Sequence, residues 1–177
     1  MGYSKLERNL IDLMKEEQAK LGYRKEAVRL YYPLGSLNHL FEAEDSVDAM
    51  QERLIHFPED MTAKLGMLTV THKGDRFCFR IPEEGSEYVH EHMGANEFIK
   101  ELVEMLWQHG TTMEQIRALF DRHAHGVICE NIDNGEFDYL LRFPESVGDP
   151  YYYCFKNEGC HIIYHRFLPE DYADFDF

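Results

Sequence analysis

Glu136-Phe-Asp-Tyr-Leu-Leu-Arg-Phe143 is the stretch that decides the fold class. In an extended chain Phe137, Tyr139, Leu141 and Phe143 share one face, while Glu136, Asp138, Leu140 and Arg142 share the other. That alternation belongs to a strand in a sheet with one wet side. Asn134-Gly135, just before it, favours a type I′ turn back to the apolar run Val127-Ile-Cys-Glu-Asn-Ile132. After Gly148-Asp-Pro150 a second hairpin pairs Tyr151–Lys156 with Cys160–Phe167 around Asn157-Glu-Gly159. A sheet of antiparallel hairpins is therefore expected over about residues 127–168.

Working outward, Leu65–His72 and Arg76–Pro82 repeat the period of two around Lys73-Gly-Asp75, a further hairpin signature. Other segments carry the helical period. Ser4-Lys-Leu-Glu7 reads as a capping box, followed by Leu6, Leu10, Leu13, Met14 and Leu21 at helical spacing and Gly22 as a stop. Residues 25–42 are ambiguous: Ala27–Tyr32 suits either a buried strand or a helical turn ended by Pro33, and the helical reading is favoured. Ser46 to about His56 predicts a helix that stops before Pro58, and residues 83–95 read as a loop-like connection. Over 96–124 a helical hairpin is expected. Its first helix would bury Phe98, Ile99, Leu102, Val103, Leu106 and Trp107. The second opens on a capping box at Thr111–Glu114 and would bury Met113, Ile116, Leu119 and Phe120. With no repeating βαβ unit, the fold class is α+β: a mostly antiparallel sheet of hairpins packed against several helices. Residues 1–177 read as a single domain, with a helical part over about 1–60, a mixed middle and a β part at 127–168.

Composition bounds the function. With 18 Lys and Arg against 33 Asp and Glu the net charge is −15, which disfavours nucleic acid and anionic membranes as partners. No window approaches the roughly 18 apolar residues needed to span a bilayer, and no signal peptide is visible. Cys78, Cys129, Cys154 and Cys160 show no CxxC or zinc-ribbon spacing, so a reducing cytoplasm is the expected compartment. Dinucleotide, P-loop, zincin, nucleophile-elbow and EF-hand signatures are all missing.

Several residues remain as candidates for chemistry. His90-Glu91-His92, if extended, puts two imidazoles on one face about 6.5 Å apart, close enough to share a divalent transition metal given a third ligand. Ten histidines in 177 residues give such a pair by chance about 0.6 times, and His123-Ala-His125 is another. Glu130 would sit opposite Tyr139 if the turn at Asn134-Gly135 has two residues, on an otherwise apolar face where burial raises a carboxyl pKa and suits general acid or base work. A one-residue change in that turn sends it to solvent. His161 and His165 are too far apart along a strand to share a metal, but they share a face with Tyr152 and Lys156. Neither turn register makes Cys154 and Cys160 a disulfide, while Cys78 and Cys129 read as strand filling. The closing run Pro169–Phe177 alternates acids with Tyr172, Phe175 and Phe177, a composition that orders on binding.

Asn134–Cys154 followed by Tyr164-His-Arg-Phe167, together with Ile81–His92, resembles an uncharacterised domain-of-unknown-function family of gut Firmicutes. The resemblance implies a bacterial cytoplasmic protein and brings no activity or site residue with it. The expected function is a non-enzymatic intracellular binding or protein-interaction domain, acting on another protein or on itself. Tyr152, His161, His165, Phe175 and Phe177 are then the candidate surface, since aromatic side chains suit protein contacts. The alternative is a metal-dependent hydrolase holding its ion on His90 and His92, with Glu91 or Glu130 as base. No cofactor is otherwise expected.

Overall fold

Along β3 (Arg76–Ile81) Phe77, Phe79 and Ile81 are fully buried, while Arg76 and Arg80, between them in the alternation, are exposed. The strand is flanked on both sides. In the computed structural model, which describes residues 2–174, it pairs antiparallel with β1 (Val28–Pro33) and with β2 (Thr69–Lys73), giving the sheet order β1-β3-β2. The chain forms two compact units, and this sheet belongs to the first, which runs to Glu97.

Five helices complete that unit: α1 (Ser4–Leu21), α2 (Leu34–Phe41), α3 (Val47–Arg53), α4 (Phe57–Leu65) and α5 (Glu83–His92). Helix α1 buries Leu6, Leu10, Ile11 and Met14, and Asn9 among them accepts from the Tyr32 hydroxyl at 2.6 Å. Its cap differs from the expected box. Tyr3 is the N-cap and Ser4 already helical, with no side-chain cap bond, while the Tyr3 hydroxyl donates to the Arg53 carbonyl at 2.7 Å. Leu21, read as a core position, is 61% exposed.

Residues 28–33 are a strand, not the helical turn favoured from sequence. Tyr32 faces Phe77 and Leu30 faces Phe79 across the ladder, and the gain from joining that buried face outweighs weak local preference. Ser46 caps α3 by accepting from the Ala49 N–H, as expected, but Pro58 does not merely end that segment. It stands in the first turn of α4, where a proline's missing N–H costs nothing.

Residues 83–92 are helical rather than a loop. Glu83 and Glu84 lie in the first turn of α5, where carboxylates favour the positive end of the helix dipole. Gly85 is there for proximity: a Cβ on it would stand 2.4 Å from the Leu65 carbonyl oxygen and 2.5 Å from Ile81 Cγ2. Backbone of α4 and side chain of β3 therefore meet α5 at a position only glycine fits.

The second unit begins at Phe98. It comprises α6 (Glu97–Leu106), α7 (Met113–His123), β4 (Ile128–Asn131), β5 (Tyr139–Arg142), a 3-10 turn at Glu145–Val147, β6 (Tyr152–Asn157), β7 (Ile162–Phe167) and α8 (Pro169–Ala173). The four strands form one antiparallel sheet in sequence order. Helices α6 and α7 form the expected hairpin, with Glu101 midway along one bonded to Arg122 and His123 at the end of the other, but Trp107, expected to be buried, is 71% exposed. The capping box falls one residue later than expected. Thr112 accepts from the Gln115 N–H, Gln115 returns a carboxamide oxygen to the Thr112 N–H at 2.9 Å, and Thr111 instead donates to the Met105 carbonyl.

The hairpin packs on the sheet through an aromatic cluster. Phe98 lies 4.7 Å from Phe120 and 4.9 Å from Phe143, and Phe120 lies 5.3 Å from Tyr153, mostly edge to face. On the opposite sheet face Phe137, Leu140 and Cys154 are buried under Ile132, Tyr152, Phe167 and Tyr172. The sheet thus has no fully wet side, because α8 brings Tyr172 within 5.4 Å of Tyr152 and 6.1 Å of Phe167. The α+β class holds, with two antiparallel sheets rather than one.

Two outcomes check these contacts. Alanine normally favours a helix over glycine by about 1 kcal/mol, yet Gly85→Ala is expected to lower stability by about 1–3 kcal/mol in urea denaturation, through the clash with Leu65 and Ile81. The Asn157 backbone N–H at 2.8 Å, more than the Lys156 ammonium, holds the Asp138 carboxyl below the usual aspartate range. A depressed folded pKa contributes stability above the unfolded value of about 3.9 and loses it as pH falls through the folded one. The stability gap between wild type and Asp138→Asn, measured by denaturant midpoints across pH, should be full at neutral pH and close in acid.

Candidate functional site

The carboxylate and imidazoles picked out in the second unit do not converge. Glu130 faces Leu140, not Tyr139, and its side chain is half exposed and 4.0 Å from Arg142. A bulge causes the shift. Ile132 and Asp133 both donate to the Asp138 carbonyl, two residues opposing one, and Asp133 takes φ 36° to do so. The turn itself has Gly135-Glu136 at its centre, with the Asn134 side-chain oxygen accepting from the Glu136 and Phe137 N–H groups. Glu130 therefore lacks the apolar enclosure expected of it from the sequence.

Tyr152 faces Phe167 across the last hairpin, with the Arg142 guanidinium 5.5 Å from its ring centroid. His165 faces Cys154 and lies edge-on to Phe137 and Phe167. His161 precedes the strand, 3.1 Å from Glu158 and with Nδ1 3.0 Å from Cys160 Sγ, while Lys156 pairs with Asp138. These side chains pack and pair locally. Phe175 and Phe177 lie outside the described residues. All four thiols are free, and burial pushes that of Cys154 up to about 12, which removes it as a nucleophile at neutral pH.

His90 and His92 sit on α5, where positions two apart point about 200° from each other. The extended conformation that would bring them to one face is not adopted. His90 stacks on Tyr23 with centroids 4.1 Å apart and planes 5° from parallel, and His92 lies 4.9 Å from Tyr88. Glu91 is exposed between them. Among the described residues no three His, Cys, Asp or Glu side chains come together as metal ligands.

The distinctive surface is the sheet of the first unit. Its inner face carries Val28, Leu30 and Tyr32 on β1, Phe77, Phe79 and Ile81 on β3, and Val70 and His72 on β2. The outer face has three rows, set by register. One is Arg29, Arg80 and Thr69; the next is Tyr31, Cys78 and Thr71; the third is Pro33, Arg76 and Lys73. All of these are exposed except Cys78, which is half-buried, and the Arg76 guanidinium lies over the Tyr31 ring at 4.8 Å. Among the described residues no carboxylate pairs with Arg29, Lys73, Arg76 or Arg80, although the chain carries 33 carboxylates.

Strand β2 has β3 on one side and, among the described residues, no strand on the other. Beside it, on the inner side, a groove of about 320 Å³ runs between the strand and the α3–α4 corner, with Leu54, Ile55, Pro58, Val70 and Phe77 as its apolar lining. Ile55 is 66% exposed there, and His72 leans on Phe77 at 5.3 Å. A smaller hollow near Tyr3 and Phe41 is lined by Lys5, which pairs with Glu42, and by Arg53, which pairs with Asp45.

The sequence reading overlooked this surface, although Arg76-Phe-Cys-Phe-Arg-Ile81 displays it. Once the phenylalanines face inward, the arginines must share the outer face. Arg29 joins them only through the pairing of β1, and Ile55 joins the groove only through the helix corner, and neither has a local signal.

No helix among the described residues is long and apolar enough to cross a membrane. No curated protein matches the chain, and no solved structure matches it. Residues 3–175 match the family model described as "Domain of unknown function, E. rectale Gene description (DUF3877)". The match takes in both units from near the start of α1 to beyond α8, and the chain belongs to that family.

Proposed function

We propose that this chain is a protein-interaction domain that binds an extended segment of a partner along the open edge of β2. One observation carries the reading: an edge strand with a free side lies directly beside an apolar groove whose rim residue, Ile55, is 66% exposed. An edge strand presents unpaired N–H and C=O groups, and a partner strand that joins them gains main-chain hydrogen bonds. Alternate side chains of that strand point to the inner face, where the groove between Ile55 and Val70 receives them. Covering the exposed two thirds of Ile55 contributes about 1–2 kcal/mol, which adds to the main-chain bonds in a reversible contact.

The edge has few guards. Within Thr69–Lys73 there is no proline, and Lys73 alone is charged. Proteins that need a closed edge place prolines, bulges or several charges on it.

Selection of a random displayed-peptide library on the purified protein tests this. Enriched peptides should carry apolar residues at alternate positions, and their amide perturbations in NMR should centre on residues 69–73. Ile55→Asp should weaken them at least about tenfold, or about 1.4 kcal/mol, without moving the melting temperature. Binders indifferent to Ile55→Asp, or no enrichment at all, would overturn the reading.

A further inference from the structure

We infer that the segment received by β2 alternates acidic and apolar side chains in the order acid, apolar, any, apolar, acid. This rests on the edge-strand reading and adds the partner's chemistry. A strand joined to β2 sends every second side chain to the groove, and the others must continue the outer sheet face. On that face the rows of the sheet extend straight into the new strand. At one end it would meet Lys73 with Arg76 behind it, and at the other Thr69 with Arg80 and Arg29 behind it. The middle row offers Thr71, Cys78 and Tyr31, which have no charge preference.

The two cationic rows are four residues apart, about 13 Å along a strand. That spacing sets the two acids at positions one and five, with the apolar residues at two and four facing the groove. Directly opposed residues have Cβ atoms about 5 Å apart, so a short carboxylate reaches Lys73 from the joined strand, and the long Arg80 side chain reaches past Thr69. Guanidinium groups also match carboxylates geometrically, two N–H groups to two oxygens.

The free surface carries an electrostatic cost that such a segment removes. Arg29 is paired directly against Arg80, and Arg76 directly against Lys73, and like charges placed opposite each other weaken a sheet. Carboxylates beside both pairs offset that repulsion. A peptide fits better than a nucleic acid: Tyr31, the one aromatic among the nine side chains of the rows, lies under Arg76, and the net −15 chain repels a long polyanion. A membrane surface fits poorly too, because the face has no cluster of apolar side chains to insert.

The test uses end-blocked, fluorescein-labelled peptides on the full chain. The probe is Gly-Ser-Asp-Phe-Thr-Phe-Asp-Ser-Gly, compared with the same peptide carrying Asn for both Asp and with one carrying Ser for both Phe. Fluorescence polarisation at about 50 mM salt should show the Asp peptide at least about tenfold tighter than the Asn peptide, with the gap narrowing at about 500 mM salt as the screening length shortens. The double variant Lys73→Glu/Arg80→Glu should abolish the gap while still binding the Asn peptide, and it should melt no lower than wild type, because each new glutamate faces an arginine across the sheet. Equal binding of the Asp and Asn peptides would overturn the acidic pattern and leave the edge reading standing. Failure of every peptide, together with library-selected binders indifferent to Ile55→Asp, would overturn both. Tighter, Arg80-dependent binding of a thymidine oligonucleotide or of phosphatidylserine vesicles would replace the acidic segment with those anions.

Discussion

The burial of Phe77, Phe79 and Ile81 along one side of β3 fixes the direction of every other side chain in the first sheet. A strand cannot turn one residue without turning its neighbours, so the inward phenylalanines drive Arg76 and Arg80 outward. Register then transmits the same choice to β1 and β2, and three segments distant in sequence place their cations on one surface. The helices that cover the inner face depend on close approach: at Gly85 the α5 backbone touches α4 and β3 closely enough to forbid a methyl group. Packing on one side of this sheet and exposure on the other are two results of a single burial.

The second unit solves the same problem differently. Its four-stranded sheet is apolar on both sides, with Phe98, Phe120, Phe143 and Tyr153 on the helical side and Leu140, Cys154, Tyr152 and Phe167 on the other. Polar groups at its margins are largely paired. The Tyr153 hydroxyl, pushed upward in pKa first by burial, donates to Asp149 at 2.7 Å, and Asp138 is held by Asn157 and Lys156. The histidines and the carboxylate singled out there lie among packing contacts and at the surface.

Hairpins were the most legible part of the sequence, because each needs only a period of two and a turn residue, as at Lys73-Gly-Asp75 and Asn157-Glu-Gly159. The elements that were misread are those whose conformation is decided at a distance. Ala27–Tyr32 suits strand and helical turn alike until β3 offers it a ladder, and the close contact of Gly85 with Leu65 that fixes Glu83–His92 is one that local pattern does not encode. Glu130 shows the finest limit. Its placement turned on one bulge residue, Asp133, and a single residue in register moves a side chain from one face of a sheet to the other. The groove beside β2 was illegible for the same reason as β1: the α3–α4 corner that supplies Ile55 reaches it only in three dimensions.

The arrangement of charge also bears on what two copies of this chain do to each other. Two β2 edges laid side by side in antiparallel fashion would merge their outer faces into one six-stranded surface carrying Arg29, Lys73, Arg76 and Arg80 twice over. With no carboxylates interleaved, that surface would be strongly self-repelling at ordinary ionic strength. Like charge carried on the outer face would thus oppose, copy against copy, the edge-to-edge pairing to which bare strands are prone.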